Sequence, residues 1–153
     1  MVREFTIAGK NVRMRASALI PRIYRHTFGR DMVADMRQLQ KAYKRSQDAK
    51  KNGASEDEIQ EATLSVIDLE IFENVAWTMM KHGAEFRDVV TGQDDDGNDV
   101  TERVLMSGDM RVGHSPDEWL DSLDGVFSVY EVMPVILELW GANQKTTSVP
   151  AKK

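Results

Sequence analysis

Residues 55–83 read SEDEIQEATLSVIDLEIFENVAWTMMKHG, and this stretch decides the fold expected of the chain. Ser55 and Glu58 form a capping box at its start, and Gly83 is a stop signal at its end. Between them, apolar residues recur at three- and four-residue steps, which places them on one stripe of a helix. They are Ile59, Ala62, Val66, Leu69, Phe72, Ala76 and Met79. The sequence therefore predicts its longest helix from Ser55 to Gly83.

Helical signals also occur on both sides of this stretch. Ser17 can cap a short helix that runs to about Phe28 and stops at Gly29, and Asp31 caps a second helix that ends near Lys51. Residues 115–118, Ser-Pro-Asp-Glu, combine a capping box with proline at the first helical position. The stretch 126–140 is apolar nearly all round. It is either the central core helix or a surface that another protein covers.

Strand signals are confined to two places. Residues 5–15 alternate apolar and polar side chains on both sides of an Ala8–Asn11 turn, which predicts a β-hairpin with Phe5, Ile7, Val12 and Met14 facing inward. Residues 84–114 contain short β-prone pieces around an acidic centre, and they form a loop or a second short hairpin. The expected fold class is thus mainly α: one mostly helical domain over residues 1–141, a small N-terminal hairpin, and a disordered tail over residues 142–153.

Charge is distributed unevenly along the chain, whose net charge is −5. Residues 1–52 carry 13 Lys and Arg against 4 Asp and Glu, whereas residues 53–140 carry 4 against 21. Such asymmetry is typical of a nucleic-acid-binding arm, but it is equally typical of halves that complement each other within one fold or between copies. The basic residues occur at spacings expected for solvated helix faces and lack interleaved aromatic residues. We therefore favour the second interpretation.

No pattern typical of catalysis or metal binding is present in the sequence. The run Asp94-Asp-Asp-Gly-Asn-Asp99 invites a calcium interpretation, but with Gly97 as the sixth position of an EF-hand loop the twelfth would be Arg103, a cation. A polar turn is therefore expected there. The chain has no cysteine and three dispersed histidines. We expect no enzymatic activity, no metal and no cofactor, and we expect the nine methionines to fill the core or to supply an adaptable binding surface.

Several short segments resemble those of tail assembly chaperones of long-tailed phages and prophages of Gram-positive bacteria. The strongest are Phe28-Gly-Arg-Asp31, Leu137-Glu-Leu-Trp140 and Asn143-Gln-Lys-Thr-Thr-Ser148 with its terminal lysines. The resemblance spans the whole chain. It implies a cytoplasmic helper that binds the tape measure protein, helps recruit tail tube subunits during viral tail assembly, and is absent from the mature virion. In many members, frameshifting appends a second domain to some copies, and Lys152-Lys153 would suit such a site.

Six apolar residues near the C-terminus are the candidate partner-binding residues, because they could hold amphipathic helices of a partner in a groove. They are Trp119, Phe127, Tyr130, Met133, Leu137 and Trp140. The complementary charges and the hairpin edges further predict self-association into a ring or filament. Two alternatives remain: a nucleic-acid-binding regulator that uses the basic first third, and a phage structural connector. We expect no membrane partner.

Overall fold

The computed structural model of the protein describes residues 1–7, 9–51, 53, 65–123 and 129–143, with the helix Val66–Gly83 at its centre. The elements in chain order are strands β1 (Val2–Ile7) and β2 (Lys10–Arg15), helices α1 (Ile20–Phe28), α2 (Met32–Lys51) and α3 (Val66–Gly83), strands β3 (Glu85–Gln93), β4 (Asp99–Ser107) and β5 (Met110–Arg111), and helices α4 (Pro116–Asp121) and α5 (Val129–Asn143). Helix α3 contacts every other helix in this set, and also β2 and β4.

The expectation of a mainly α fold is wrong, because the described residues are 54% helix and 26% strand. The strands form two antiparallel sheets, one of order β1-β2 and one of order β3-β4-β5. The second sheet accounts for the difference, since β3 and β4 each have nine residues where the sequence indicated a loop or a short hairpin. The protein is therefore of mixed α and β class.

Helix α3 begins later than expected and is buried on more than one stripe. Ser65 has an extended backbone, and its hydroxyl accepts a hydrogen bond from the Asp68 N–H, so it is the N-cap. Residues 54–64, which include the predicted cap at Ser55, lie outside the described part of the chain. Six consecutive residues, from Val75 to Met80, are buried, so all sides of the helix are covered there. Val66, placed on the predicted buried stripe, is 84% exposed.

The N-terminal hairpin lies where the alternating pattern placed it. Val12 and Met14 are fully buried, Ile7 is 5% exposed, and Phe5 is partly buried against the same core. Strand β2 crosses the C-terminal end of α3 so closely that a Cβ atom at Gly83 would lie 2.8 Å from the carbonyl oxygen of Arg13. The Arg13 guanidinium in turn donates a hydrogen bond to the Gly83 carbonyl at 3.1 Å. The hairpin therefore gains its stability from α3.

The junction of α1 and α2 is held by a buried carboxylate. Gly29 ends α1 in the left-handed conformation, at φ 66°, which glycine adopts without strain. Asp35, 3% exposed, accepts two hydrogen bonds from the Arg30 guanidinium, at 2.7 and 2.8 Å, and one from the Tyr24 hydroxyl at 2.6 Å. Asp31 accepts a hydrogen bond from the Val33 N–H. The Phe28–Asp31 segment thus has a structural role in orienting α2.

These contacts also shift the pKa values of the three side chains. Burial alone would raise the pKa of Asp35, but the hydrogen bonds from Arg30 and Tyr24 and the charge of Arg30 outweigh burial and lower it. Burial, together with the hydrogen bond to Asp35 and the charge of that carboxylate, raises the pKa of Tyr24. Asp35 is therefore ionised and Tyr24 protonated at neutral pH.

The second sheet is fastened to the first through the turn between β4 and β5. The Arg13 N–H donates to the Ser107 hydroxyl at 3.0 Å, and that hydroxyl donates back to the Arg13 carbonyl. The Asp109 N–H donates to the Asn11 carbonyl at 2.7 Å. Ser107 is fully buried. One end of the β3–β4 hairpin is thus fixed to the body of the protein.

Helices α4 and α5 complete the core. Ser115 caps α4 by accepting a hydrogen bond from the Glu118 N–H, and Pro116 occupies its first turn, as the sequence predicted. Helix α5 is longer at its C-terminal end than expected and contains Pro134. Seven methionines are buried in the core, which decides between the two uses expected for them in favour of core filling. They are Met14, Met32, Met36, Met79, Met80, Met110 and Met133.

Candidate protein-interaction surfaces

The six residues chosen from the sequence do not form one exposed surface. Trp119 and Met133 are fully buried, Trp140 is 3% exposed, and Leu137 is partly buried against the core. Tyr130 is 50% exposed, and its hydroxyl lies 3.4 Å from that of Ser46 on α2. Phe127 lies outside the described residues. The structure thus brings Met133, Leu137 and Trp140 together in the core on α5, and it leaves Tyr130 as the one described member that is largely exposed.

The polar atom of Trp119 is satisfied inside the protein. Its indole N–H points at the sulfur of Met110, at 3.1 Å. A buried indole needs such a partner, because an unpaired polar group in the core is costly. The side chain therefore belongs to the packing between α4 and β5.

A projecting hairpin, residues Phe86–Arg103, is the most prominent surface feature; we call it the arm. Every residue of the arm is exposed except Val89, which is partly buried. Eight residue pairs join β3 and β4 in antiparallel register, from Glu85↔Met106 to Gln93↔Asp99, with an irregularity between Val90 and Gly92. At about 3.4 Å per residue, the arm is roughly 25 Å long. Both of its faces meet solvent along this length.

The arm exposes apolar side chains as well as backbone. Phe86 is 59% exposed, Val90 57% and Val100 43%. Within the described ranges, the outer edge of β3 has no neighbouring strand, and β4 pairs on its outer side with β5 only at Met106 and Ser107. Unpaired N–H and C=O groups along a strand are a template for pairing with another chain. The arm therefore combines an open sheet edge with apolar side chains at the surface.

A cleft of about 290 Å³ opens at the base of the arm, where β5 ends. Phe86, Leu105 and Lys81 contribute to its lining, as do Arg111 and His114. Its mixture of apolar and charged groups lies directly beside the open edge of β4. A side chain of a segment added to that edge could enter this cleft.

The tip of the arm is a tight turn formed by the acidic run. The Gly97 N–H donates to the Asp94 carbonyl at 3.0 Å, and Gly97 adopts φ 80°, a conformation suited to glycine. The Asp94 carboxylate accepts hydrogen bonds from the N–H groups of Asp96 and Asn98, at 3.0 and 2.9 Å. The expected polar turn is thus confirmed. We call the exposed carboxylates of Asp94, Asp95, Asp96 and Asp99 the arm tip.

A second surface lies between α2 and the start of α3. Four cations on one face of α2 form one wall, with Ser65, Ile67 and Asp68 opposite; they are Arg37, Lys41, Lys44 and Arg45. Asp68 is 4% exposed and is held by Gln38, whose amide donates to it at 2.6 Å, and by Arg45 at 3.9 Å. We call this surface, about 850 Å³ in volume, the basic groove.

A titratable contact joins α3 to the segment before α1. Nε2 of His82 lies 2.8 Å from the Ser17 hydroxyl. Burial, and after it the positive charges of Arg15 and the chain's terminal ammonium, lower the pKa of His82. The imidazole is therefore neutral at pH 7, and it links two elements of the body without carrying charge.

The arm is the feature that the sequence interpretation missed. Val89-Val90 and Val104–Met106 were recognised as β-prone, and the acidic run was recognised as a turn, but no alternation connected them. An alternating pattern arises only where one face of a strand is buried. A hairpin signal was nevertheless present, because Asp-Gly turn chemistry lies between two β-prone segments.

Two kinds of feature are absent from the described part of the chain. Nowhere in those ranges do three or more His, Cys, Asp or Glu side chains gather in a way that could hold a metal ion. None of the helices seen there has the length and apolar character needed to cross a membrane. Comparisons of the chain with protein-family models, curated proteins and solved structures found no significant match.

Proposed function

We propose that this protein is a phage tail assembly chaperone that binds the tape measure protein and helps to recruit tail tube subunits. The observation that carries the proposal is the arm, a hairpin with open edges and exposed apolar side chains. The identity of the partners comes from the sequence resemblance at Phe28–Asp31, Leu137–Trp140 and Asn143–Ser148. On this proposal the protein acts by binding, without catalysis, in the host cytoplasm, and it leaves before the virion is complete.

A hairpin that is not covered by other elements is weakly stable, and this is the physical basis of the proposal. An isolated two-stranded hairpin is at best marginally stable in water, and the arm has no core of its own. A partner segment that paired with β4 or packed on Phe86 and Val90 would satisfy backbone groups and bury apolar area together. Such contacts are tolerant of sequence, which suits a chaperone that must cover a long chain.

The test is co-expression with the tape measure protein encoded in the same phage genome. We expect the wild-type protein to keep that chain soluble and to co-purify with it. The variant Phe86→Thr/Val90→Thr keeps strand propensity but removes apolar area, so it should lose co-purification while its melting temperature is unchanged. The matched control is Leu19→Thr/Val33→Thr, which removes exposed apolar area from the N-cap of α1 and from α2. Equal retention by both variants would contradict a role for the arm.

The basic groove supports one rival function, nucleic-acid binding. A protein that neutralises several phosphates loses affinity steeply as salt rises. Titration of double-stranded DNA at two salt concentrations distinguishes the proposals: tight, salt-sensitive binding abolished by Lys41→Glu/Lys44→Glu would favour the rival. The other alternative, a structural connector, requires the chain to be present in purified virions, where we expect it to be absent.

A further inference from the structure

The arm tip carries a dense negative charge that is not neutralised within the described chain. Asp94, Asp95, Asp96 and Asp99 lie within six residues, and all four are exposed. Among the described residues, no ion pair joins any of them to a cation. Asp94 is committed to the turn through its two hydrogen bonds. Asp95, Asp96 and Asp99 are therefore available to an external cationic surface.

The basic groove has the opposite character. Arg37, Lys41 and Lys44 follow one another at four- and three-residue steps on α2, so their side chains share one face. Within the described ranges none of these three forms an ion pair. The two carboxylates that line the groove are Asp48 and Asp68, and Asp68 is already buried and held by Gln38. The groove therefore has an excess of cations open to solvent.

The two surfaces lie at opposite ends of the molecule's central helix. The arm emerges directly after the C-terminal end of α3, whereas the basic groove includes Ser65 and Ile67 at its N-terminal end. Helix α3 has 18 residues and is thus about 27 Å long. The arm tip is separated from the body by the further length of the arm. Each surface is left free to meet another molecule.

We infer that the arm tip of one copy docks in the basic groove of the next copy. The two surfaces have opposite charge and both are present on every molecule, so a second copy is the occupant that fits. Among the described residues, neither the free carboxylates of the arm tip nor Arg37, Lys41 and Lys44 of the groove are neutralised by an ion pair. A contact between two different surfaces is heterologous, so repetition gives a ring if the rotation closes and a filament if it does not. This inference is independent of the proposed function, since it concerns only contacts between identical chains.

Charge reversal on either side tests the inference with the full chain. The tip variant is Asp95→Lys/Asp96→Lys, which leaves the turn carboxylate of Asp94 in place. The groove variant is Lys41→Glu/Lys44→Glu, which leaves Arg45 and its contact with Asp68 in place. Each variant alone brings like charges together, so its self-association measured by sedimentation velocity should weaken at least about tenfold. Circular dichroism melting checks that both variants fold.

The decisive experiment is an equimolar mixture of the two variants. In the mixture, the unchanged acidic tip of the groove variant can bind the unchanged basic groove of the tip variant. The reversed surfaces are also complementary, because the tip variant has a basic tip and the groove variant has an acidic groove. We therefore expect the mixture to associate about as strongly as the wild-type protein, although each variant alone associates much more weakly. Association should weaken between about 0.1 M and 1 M salt, as the screening length falls from about 10 Å to about 3 Å.

A charge change of the same size elsewhere on the surface serves as the control. The variant Arg22→Glu/Arg25→Glu makes the same charge change on exposed residues of α1, away from the groove, and should leave association nearly unchanged. A wild-type chain that stays monomeric at about 0.1 M salt and high protein concentration would overturn the inference. So would a mixture that fails to associate. If the tip variant associates normally while the groove variant does not, the arm tip is not the occupant of the groove and the inference is overturned.

Discussion

At the scale of single residues, the carboxylate of Asp35 is the group on which the orientation of α2 depends. It is buried, and it accepts three hydrogen bonds, two of them from one guanidinium in bidentate geometry. Tyr24 and Arg30 come from α1 and from the link that follows it. The loss of this one carboxylate would leave a buried hydroxyl and a guanidinium without their shared acceptor.

The first prediction concerns this carboxylate. Asp35→Asn should lower the free energy of unfolding by about 1.5–3 kcal/mol, because it removes charge-assisted hydrogen bonds at a buried site. Urea unfolding at pH 7 measures this. The control Asp31→Asn removes the same charge but keeps a good N-cap, so it should change stability by less than about 0.5 kcal/mol. Because the pKa of Asp35 is lowered on folding, its contribution should be lost only as the pH falls below about 4.

A second prediction at this scale is a pH dependence due to His82. Its pKa is lower in the folded state than the usual value of 6.5, so between the two values the unfolded state binds more protons. Stability should therefore fall as the pH is lowered below about 6.5. In His82→Gln, which retains a polar group near Ser17, this part of the pH dependence should be absent. Parallel slopes for the two proteins between pH 7 and pH 5 would show that His82 is not responsible.

At the scale of elements, the close crossing of β2 over the end of α3 sets the position of the N-terminal hairpin. The crossing requires a residue without a Cβ atom at Gly83, because the neighbouring atoms belong to the backbone of Arg13 and Arg15 and cannot rotate away. The C-terminal end of α3 and strand β2 are thus in direct contact through their main-chain atoms. The hydrogen bond from Arg13 to the Gly83 carbonyl stabilises the same crossing.

The third prediction follows from this crossing. Gly83→Ala should destabilise the protein by about 1–3 kcal/mol, since the methyl group forces the hairpin to move. The matched control is Gly141→Ala, also in a helix, where no described atom outside the helix's own backbone lies within 4 Å of an added Cβ. The control should be neutral or up to about 1 kcal/mol more stable, because alanine is the better helix former. Thermal unfolding of both variants provides the comparison, and similar losses in both would contradict the crossing as the cause.

Some boundary signals located helix ends correctly and others did not, and elements defined by burial alone could not be located from the sequence. Ser17 was expected to cap α1, whose N-cap is Leu19, and Ser55 was expected to cap α3, whose N-cap is Ser65. Ser115-Pro116 and Gly29 carry their own capping chemistry, and both helix ends lie where the sequence placed them. The periodicity of α3 indicated one stripe, but Val75 to Met80 are buried on all sides because the two sheets cover faces that the local pattern did not reveal. The arm showed no pattern because neither face is buried. Trp119 and Trp140 could have belonged either to the core or to a surface covered by a partner. Both environments favour the same apolar residue types, so the sequence could not distinguish between them.

At the scale of the whole molecule, the body and the arm differ in what holds them. The body has a continuous core, whereas no residue of the arm is buried. Burial begins only at the base of the arm, in Val104 and Ser107. Stability and partner contact are therefore carried by different parts of the chain. This division permits a direct experiment.

The fourth prediction is that the arm can be shortened without loss of the fold. Asp88 and Arg103 lie directly opposite each other, so removal of residues 89–102 and closure with Asn-Gly retains a regular hairpin turn. The melting temperature should change by less than about 5 °C, because no buried side chain is removed. Self-association and binding to the tape measure protein should both be lost. Loss of cooperative unfolding in this variant would show that the arm supports the body.

The methionine content of the core has a spectroscopic consequence. Seven thioether side chains from five different helices and strands are buried, including Met14 on β2, Met79 on α3 and Met133 on α5. Their terminal methyl groups rotate freely even when the side chain is packed, so each gives a narrow resonance sensitive to its neighbours. Labelling only the methionine methyl carbons would therefore place isotopic probes in both the sheet and the helical parts of the interior. Titration with a partner would then show by chemical-shift change which layers of the body respond when the arm is occupied.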